Sequence, residues 1–547
     1  MMNPADPHRP RRGLVYGLLI AAATAVMLVR TLTVASPVKE YAAPFLSAND
    51  RSRWCTIRAL GDDGVFFIEP IIFDAHGEPD YRWHTIDLVR HKGPDGREHY
   101  YSSKPPLLST LLAGEYWLIK QCTGWSLAEQ PFQVARLMLA LSSVLPLLIA
   151  LLVLARLVEQ SPASTGGKLF VVACACFGTF LTTFASTLNN HLPAAISVVF
   201  TLAAVWPIGR DGRRDAWLFA AAGFCSAFAA ANELPALSFF AVIATALFWQ
   251  APARTLLAFL PPALLVAAAA LGTNYLAHGT WQPAYAQRKD GALITTVDAS
   301  LSAALDNRQL PPALRAELAH HGVTLSDAAV VYRREAGKKW GLWDEATQDR
   351  LSISRPPPIP LREGRGEGQK EGSPLEIRRW GNWYEYPGTH WRPERLTGVD
   401  RGEKSIPLYA FHCLLGHHGL FSLTPIWLLS VWGVALWLRR GEPAGRGLAA
   451  ITLLLTLVVL AFYFTRPEID RNYGGVTSGL RWLFWLTPLW LLVMLPAASS
   501  LTSSRWGAAL ALVLLAISAF SSFYPWTNPW TNPWLFDLFT AWGWIAY

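Results

Sequence analysis

The feature that most constrains the fold is one long block without charge. Residues 169–209 contain no Asp, Glu, Lys or Arg. One membrane-spanning helix needs about 20 apolar residues to cross roughly 30 Å of hydrocarbon, so this block is long enough for two. The polar sequence LNNH at 188–191 divides it. The whole chain is 52% hydrophobic and 16% charged, whereas a soluble domain has about 25% charged residues. The sequence therefore predicts a polytopic membrane protein.

Further charge-free stretches of spanning length lie on both sides of this block. The predicted spans are residues 13–29, 137–155, 169–209 (two spans), 216–232, 234–249, 256–277, 419–438, 447–465, 482–498 and 506–523. We therefore expect an all-α fold with about 11 transmembrane helices. The first span is predicted to be an uncleaved anchor, and a cleaved signal peptide is the alternative.

Basic residues near the span ends predict the orientation. They collect in alternate short loops, as expected on the cytoplasmic side of a membrane. The clusters are Arg9, Arg11 and Arg12; Arg156 and Lys168; Arg210, Arg213 and Arg214; Arg254; Arg439, Arg440 and Arg446; and Arg505. With an odd number of spans, the N-terminus is predicted inside and the C-terminus outside. The net charge of +8 is then a topology signal, and no nucleic acid partner is expected.

This topology places two long polar segments on the extracytoplasmic side, and both are predicted to be α-rich. The first loop is expected to carry amphipathic surface helices and a catalytic acid, and the second to contain a disordered insertion at about 354–374, which is rich in Pro, Gly and charge. The predicted domains are 1–35 (N-terminus and first helix), 36–135 (first loop), 136–278 (helices 2–7), 279–418 (second loop), 419–523 (helices 8–11) and 524–547 (Trp/Pro-rich tail).

Two features outside the spans are ambiguous in the sequence. Cys55 and Cys122 both lie in the first outer loop, where an oxidising compartment permits but does not require a disulfide. The repeat PWTNPWTNPW at 525–534 is typical of interfacial anchoring, and contact with an acceptor is the alternative.

Two motifs in the first outer loop carry a family resemblance. Asp50, Arg53 and Trp54 stand at helical spacing soon after the first span, and the sequence KPPL begins at Lys104. Taken locally, the first motif indicates a surface helix capped by Asp50. Together the motifs resemble the GT-C superfamily of integral-membrane glycosyltransferases, most nearly its protein O-mannosyltransferase and lipid A aminoarabinose transferase group. The resemblance implies that Asp50 is the catalytic base, although the usual acidic neighbour is Arg51 here.

A third motif, NYGGVTSGLRW at 472–482, resembles a late segment of the same family. Its glycines allow the backbone to approach a ligand closely. Arg481 can bind a lipid-linked phosphate bidentately, and the alternative is an arginine that snorkels to the interface. Tyr473, in the same motif, is a further candidate substrate contact.

The remaining candidates are polar residues predicted on the same side of the membrane. Lys104 is predicted to bind the donor phosphate, and Arg53 is a further substrate-binding candidate. Glu233 lies in a turn between two predicted spans and suits sugar binding. Asn189, Asn190 and His191, in the preceding turn, are predicted to line the same cavity. His418 is a substrate-binding candidate, with interfacial hydrogen bonding as the alternative.

The resemblance implies a hexosyl- or pentosyltransferase in the cytoplasmic membrane, and the predicted topology places its active site outside. It would transfer a sugar from a polyprenyl-phosphate donor to a lipid, glycan or protein acceptor by inverting single displacement. No cofactor or metal ligand is predicted, and dependence on a divalent cation is the alternative. The competing function is a transporter or flippase for a lipid-linked saccharide, a class that usually shows internal repeats or broken helices.

Overall fold

The computed structural model describes residues 9–36, 42–335, 338–356 and 373–547. Most of the predicted insertion at 354–374 therefore lies outside the described residues. The helices are α1 (Arg9–Thr33), α2 (Ala48–Asp63), α3 (Glu69–Ile72), α4 (Pro106–Thr123), α5 (Pro131–Leu139), α6 (Leu145–Glu159), α7 (Thr165–Phe177), α8 (His191–Asp211), α9 (Ala216–Asn232), α10 (Leu237–Gln250), α11 (Pro252–Arg254), α12 (Leu260–His278), α13 (Ser302–Asp306), α14 (Pro312–His320), α15 (Ile406–Leu414), α16 (Leu420–Leu423), α17 (Trp427–Arg440), α18 (Pro443–Phe464), α19 (Thr487–Val493), α20 (Leu495–Leu501), α21 (Arg505–Phe523) and α22 (Trp534–Ala541). The strands are β1 (Leu88–Lys92), β2 (Glu98–Ser102), β3 (Leu293–Val297), β4 (Ala329–Glu335), β5 (Lys339–Asp344), β6 (Asp349–Ser354) and β7 (Leu375–Arg379).

The apolar segments form helices, and the long ones make this an integral membrane protein. Within the described ranges, six helical segments are long and apolar enough to cross a membrane: Pro10–Thr33, Pro131–Glu159, His191–Asp211, Pro252–His278, Pro443–Phe464 and Arg505–Phe523. A seventh is added if Arg481–Val493 and Leu495–Leu501, which meet at 52°, form one bent span. Shorter apolar helices occupy three of the other predicted spans: Thr165–Phe177, Ala216–Asn232 and Leu234–Gln250. The count of about 11 spans and their orientation stay predictions.

Small residues bring the apolar helices together. A Cβ at Gly223 of α9 would collide with the carbonyl of Phe259, and one at Gly433 of α17 would collide with that of Val493. Close approach at small residues is how helices pack where there is no water to drive them together. This packing sets the rigid frame from which the polar ends of the helices project.

The first long loop, residues 36–135, folds around a pair of packed helices. Ser47 caps α2 through a reciprocal pair of hydrogen bonds, with its Oγ accepting from the backbone N–H of Asp50 (3.1 Å). Trp54 and Ile57 of α2 are buried, and Tyr116 of α4 is buried in the same cluster. The apolar side chains of α2 therefore pack inside the protein against α4, and the position of the first-loop helices at the membrane surface stays a prediction.

The structure also settles the cysteine question. Cys55 and Cys122 are both free, the first buried and the second exposed. The Cys55 thiol donates a hydrogen bond to the Trp83 carbonyl (3.3 Å). The two residues therefore do not form a disulfide.

The second long loop, residues 279–418, is built on a sheet, so the all-α and α-rich predictions are wrong for this part of the chain. Five antiparallel strands are ordered β3-β7-β6-β5-β4. Leu351 and Ile353 of β6 are buried in one cluster with Leu314 and Leu318 of α14. Alternating apolar residues of period two form one packed face of an antiparallel sheet, and α14 supplies the opposing layer.

Candidate active site

Asp50 is completely buried and its carboxylate is saturated with hydrogen bonds. It is 0% exposed. Oδ1 accepts from the backbone N–H of Ser47 (2.8 Å), and Oδ2 accepts from the N–H of Leu46 (3.0 Å) and the hydroxyl of Thr187 (2.8 Å). Burial raises the pKa of the Asp50 carboxyl, while these three donors act in the opposite direction. In this conformation the residue holds the start of α2, at the third helical position rather than at the cap, and faces no open space.

Lys104 forms an ion pair with a carboxylate that the sequence motifs do not include. Its Nζ lies 3.0 Å from Oδ2 of Asp87. Asp87 immediately precedes β1 and Lys104 follows β2, so pairing of the two strands brings both residues to the base of one hairpin. Burial lowers the pKa of Lys104 to about 8, with the charges of Arg53 and Arg481 acting in the same direction and Asp87 opposing them. The two arginines are therefore close enough to act on the lysine electrostatically.

A chain of hydrogen bonds connects three of the predicted site residues. Arg53 Nη2 donates to Asn190 Oδ1 (2.5 Å), and Asn190 Nδ2 donates to Glu233 Oε1 (2.5 Å). The same carboxylate pairs with Nδ1 of His191, and Arg481 Nη1 donates to His191 Nε2 (3.1 Å). Because arginine can only donate, His191 accepts at Nε2, and Nδ1 carries the proton that faces Glu233.

Arg481 is held in place by the glycine motif and by an aromatic ring. Its Nε and Nη2 both donate to the carbonyl of Gly474, at 3.0 and 2.6 Å. Gly474 and Gly475 have φ of +94° and +76°, which only glycine adopts readily. The guanidinium lies over the ring of Trp530, 4.7 Å from its centroid, in a cation–π contact. The bidentate fork predicted for a phosphate is thus aimed at a carbonyl in this conformation.

The C-terminal tail closes the site from the other side. Trp530 is buried, and its indole N–H donates to the hydroxyl of Thr187 (2.9 Å), the hydroxyl that in turn donates to Asp50. Trp530 therefore packs inside the protein rather than anchoring it at the membrane interface, because Thr187 and Arg481 hold its ring. Asp50 and Arg481 are connected through these two residues.

Tyr473 and His418 belong to a separate cluster. Both are 0% exposed, and their rings stack with centroids 5.0 Å apart. The ring of His417 also contacts that of Tyr473, and its Nε2 lies 2.9 Å from the hydroxyl of Tyr547. These buried rings pack the tail against the turn before α16. The structure therefore brings together Asp50, Arg53, Lys104, Glu233 and Arg481 but leaves Tyr473 and His418 outside the polar network.

The sequence motifs do not include Asp87, Thr187 and Trp530. Asp87 is one acid among many in the first loop, Thr187 is an ordinary residue before the LNNH turn, and Trp530 sits in a repeat typical of membrane anchors. Their relevance comes only from what they touch. Within the part of the chain that the structure describes, no three His, Cys, Asp or Glu side chains form a group that could hold a metal ion. Metal independence stays a prediction.

The chain is similar to known proteins in structure but not in sequence. No family model matches the sequence, and no curated protein matches it. The S. cerevisiae protein O-mannosyltransferase Pmt1–Pmt2 complex bound to the sugar donor is 11% identical, with 100% of this chain and 93% of that chain covered and a TM-score of 0.46. The Archaeoglobus fulgidus oligosaccharyltransferase in the apo form is 11% identical, with 95% of this chain and 56% of that chain covered and a TM-score of 0.41. Both names describe enzymes that transfer sugars.

Proposed function

We propose that this protein transfers a hexose or pentose from a polyprenyl-phosphate donor to a lipid, glycan or protein acceptor at the outer face of the cytoplasmic membrane. The observation that carries the proposal is the meeting of three largely buried basic side chains beside two carboxylates. Arg53, Lys104 and Arg481 act on one another electrostatically, and Asp87 and Glu233 lie among them. The carboxylates offset much of this positive charge, and arginine and lysine side chains grouped in this way are the donors that proteins commonly use to bind a phosphate.

The donor would place its phosphate at the basic group and its lipid tail toward the apolar side chains that follow Arg481 in the chain. Leu483, Phe484 and Trp490, together with Phe180, line a narrow apolar crevice of about 20 Å³. This crevice has room for about one water molecule, so the tail would lie over the apolar helices rather than inside a cavity.

In the proposed reaction the acceptor oxygen bonds to the anomeric carbon as the bond to the donor phosphate oxygen breaks. The acceptor loses one proton to a carboxylate base, and polyprenyl phosphate leaves from the opposite face of the sugar, which inverts the anomeric centre. Lys104 and Arg481 stabilise the charge that builds on the leaving phosphate, as fixed cations do best where water is excluded. No metal or cofactor takes part in this scheme.

Two carboxylates are candidates for the base. The family resemblance implies Asp50. Asp87 is supported by position, because its side chain is 12% exposed and it contacts the ammonium of Lys104, whereas Asp50 already accepts three strong hydrogen bonds and is closed off. We assign the proton transfer to Asp87 and a structural role to Asp50. A general base must come within hydrogen-bond distance of the proton it removes.

The test is sugar transfer by purified protein in liposomes, using donors labelled in the sugar and an envelope lipid and glycan fraction as acceptor. We expect labelled product of inverted anomeric configuration, and no product from Arg481→Gln. The flippase alternative is measured in parallel, as reorientation of a fluorescent lipid-linked saccharide across the same liposomes. Reorientation without transfer for every hexose and pentose donor would overturn the proposal.

A further inference from the structure

A second polar cavity lies between the two outer loops. It has a volume of about 330 Å³ and is lined by the hairpin β1–β2, the end of α12, the turn after α14, the start of β6 and residues 379–383. Ligand sites in proteins usually measure about 300–1,000 Å³ and combine aromatic faces with a few placed polar groups. This cavity is separate from the residues assigned to donor binding and catalysis.

Aromatic rings form one wall of this cavity. His91 is stacked between Tyr101 and Trp383, with ring centroids 4.2 and 4.0 Å away. Its Nε2 lies 3.0 Å from Nδ1 of His278. Burial lowers the pKa of His91 to about 4, so the imidazole is neutral near pH 7. Both faces of the His91 ring are covered by these neighbours, so His91 meets the cavity at its edge, while Trp380 and Trp383 supply aromatic surface of the kind that suits a sugar ring.

Charged groups that are already paired form the opposite wall. Arg350 Nη2 lies 2.7 Å from Glu98 Oε2, and Lys92 Nζ lies 2.7 Å from Asp349 Oδ1. Both pairs join the hairpin to the sheet, so the wall is fixed and adds no strong net charge. Paired charges of this kind present donors and acceptors to hydroxyl groups without attracting an ion.

Two buried N–H groups of residues that line this cavity lack a hydrogen-bond partner. The indole N–H of Trp380 and Nε of Arg350 have no hydrogen bond to any described residue. Both residues line the cavity. Buried polar groups in proteins are nearly always paired, by protein, water or ligand. Because both N–H groups are themselves buried, a bound molecule would meet the remaining parts of the Trp380 and Arg350 side chains, which line the cavity.

The cavity is also placed to serve the active site. His91 is four residues beyond Asp87 along β1, and at about 3.3 Å per residue the two lie roughly 13 Å apart. We infer that this cavity binds a neutral saccharide portion of the acceptor, one or two sugar units away from the hydroxyl that reacts. The inference rests on the proposed glycosyl transfer and assigns its acceptor as a glycan.

The test measures binding to the full-length protein in nanodiscs by calorimetry, with cellotriose, chitotriose and mannotriose as probes and a Ser/Thr-rich peptide for comparison. We expect at least one trisaccharide to bind, and Trp380→Ala to weaken it roughly tenfold or more, as at other tryptophan hot spots. Thr324→Trp fills the cavity from an exposed position and should do the same if Trp380→Ala does not fold. Trp249→Ala, at a residue 84% exposed on α10, is the matched control.

Slow hydrolysis of the labelled donor by water separates this inference from the proposed function. Both cavity variants should hydrolyse donor at the wild-type rate, because the donor site is untouched. No binding of any trisaccharide, equal binding by wild type and the cavity variants, or preference for the peptide would overturn the acceptor site. If the wild type fails to turn over any donor, the proposed function fails, while the binding data still decide whether the cavity takes a saccharide.

Discussion

Replacing Asp50 by Asn tests whether this residue is the base or a structural anchor. Oδ1 accepts from the N–H of Ser47 and Oδ2 from the N–H of Leu46 and the hydroxyl of Thr187. An amide has only one acceptor oxygen, so in either orientation its NH₂ group faces a backbone N–H. A buried donor left unpaired costs about 1–3 kcal/mol. We expect Asp50→Asn to lower the free energy of unfolding by about that amount while the folded fraction keeps transferring sugar.

Asp87→Asn should show the opposite pattern. Loss of a general base slows a reaction by roughly 10²–10⁴-fold. The effect on stability is limited because the pKa of Lys104 is already about 8, which lets an unpaired amine lose its proton. Asp62→Asn is the matched control, since it breaks a Lys–Asp pair of 2.7 Å with Lys120 in the same loop without touching the site.

The assay combines two measurements on one preparation of each variant: unfolding followed by tryptophan fluorescence, and single-turnover transfer from a labelled donor. Single turnover isolates the chemical step from product release. An Asp50→Asn protein as stable as wild type but inactive would refute the structural role and return the base to Asp50. A wild-type single-turnover rate in Asp87→Asn would refute the assignment to Asp87.

Three further predictions follow from the same network. The kcat/KM for sugar transfer should fall as pH rises through about 8, because the Lys104 ammonium loses its proton. Lys104→Arg should move this decline to higher pH. A decline at the same pH in Lys104→Arg would contradict the role of Lys104 in phosphate binding. Gly475→Ala, at φ +76°, should lower stability by about 1–2 kcal/mol in thermal unfolding, while Gly447→Ala, in a helix with open space around it, should not. Trp530→Phe keeps a ring near Arg481 but loses the hydrogen bond of the indole N–H. Affinity for the sugar donor, measured by equilibrium binding, should therefore fall less than in Trp530→Ala. An equal fall in affinity in the two variants would contradict the cation–π contact.

The motif residues show how far sequence alone could reach. The glycine-rich segment predicts a close approach of the backbone to a ligand, which stays a prediction; the structure shows that Gly474 and Gly475 have positive φ. Asn190 and Glu233 are predicted to line one cavity, and the structure joins their side chains by a hydrogen bond. The spacing of side chains along a helix and the length of a loop depend on neighbouring residues, so both can be predicted from the sequence alone.

The sheet of the second loop was missed although its pattern was present. Leu351 and Ile353 alternate with polar residues, as do Leu375 and Ile377. Each run is only a few residues long, and short alternating runs become strands only when partners are available to pair with them. The strands β6 and β7, which lie on either side of residues 357–372 in the sequence, pair with each other. No local sequence pattern specifies this pairing.

The sequence by itself determined that this chain enters a membrane, because uncharged blocks of spanning length have no stable place in water. It also determined which side chains were candidates for chemistry. Only the tertiary structure decided which carboxylate is open. Asp50 is closed by Thr187, 137 residues away, and Thr187 is held by Trp530, a further 343 residues along, whereas Asp87 meets Lys104 at the base of a hairpin. The reactivity of a carboxylate depends on its hydrogen bonds and its access to substrate, and both are set by residues that are distant in sequence.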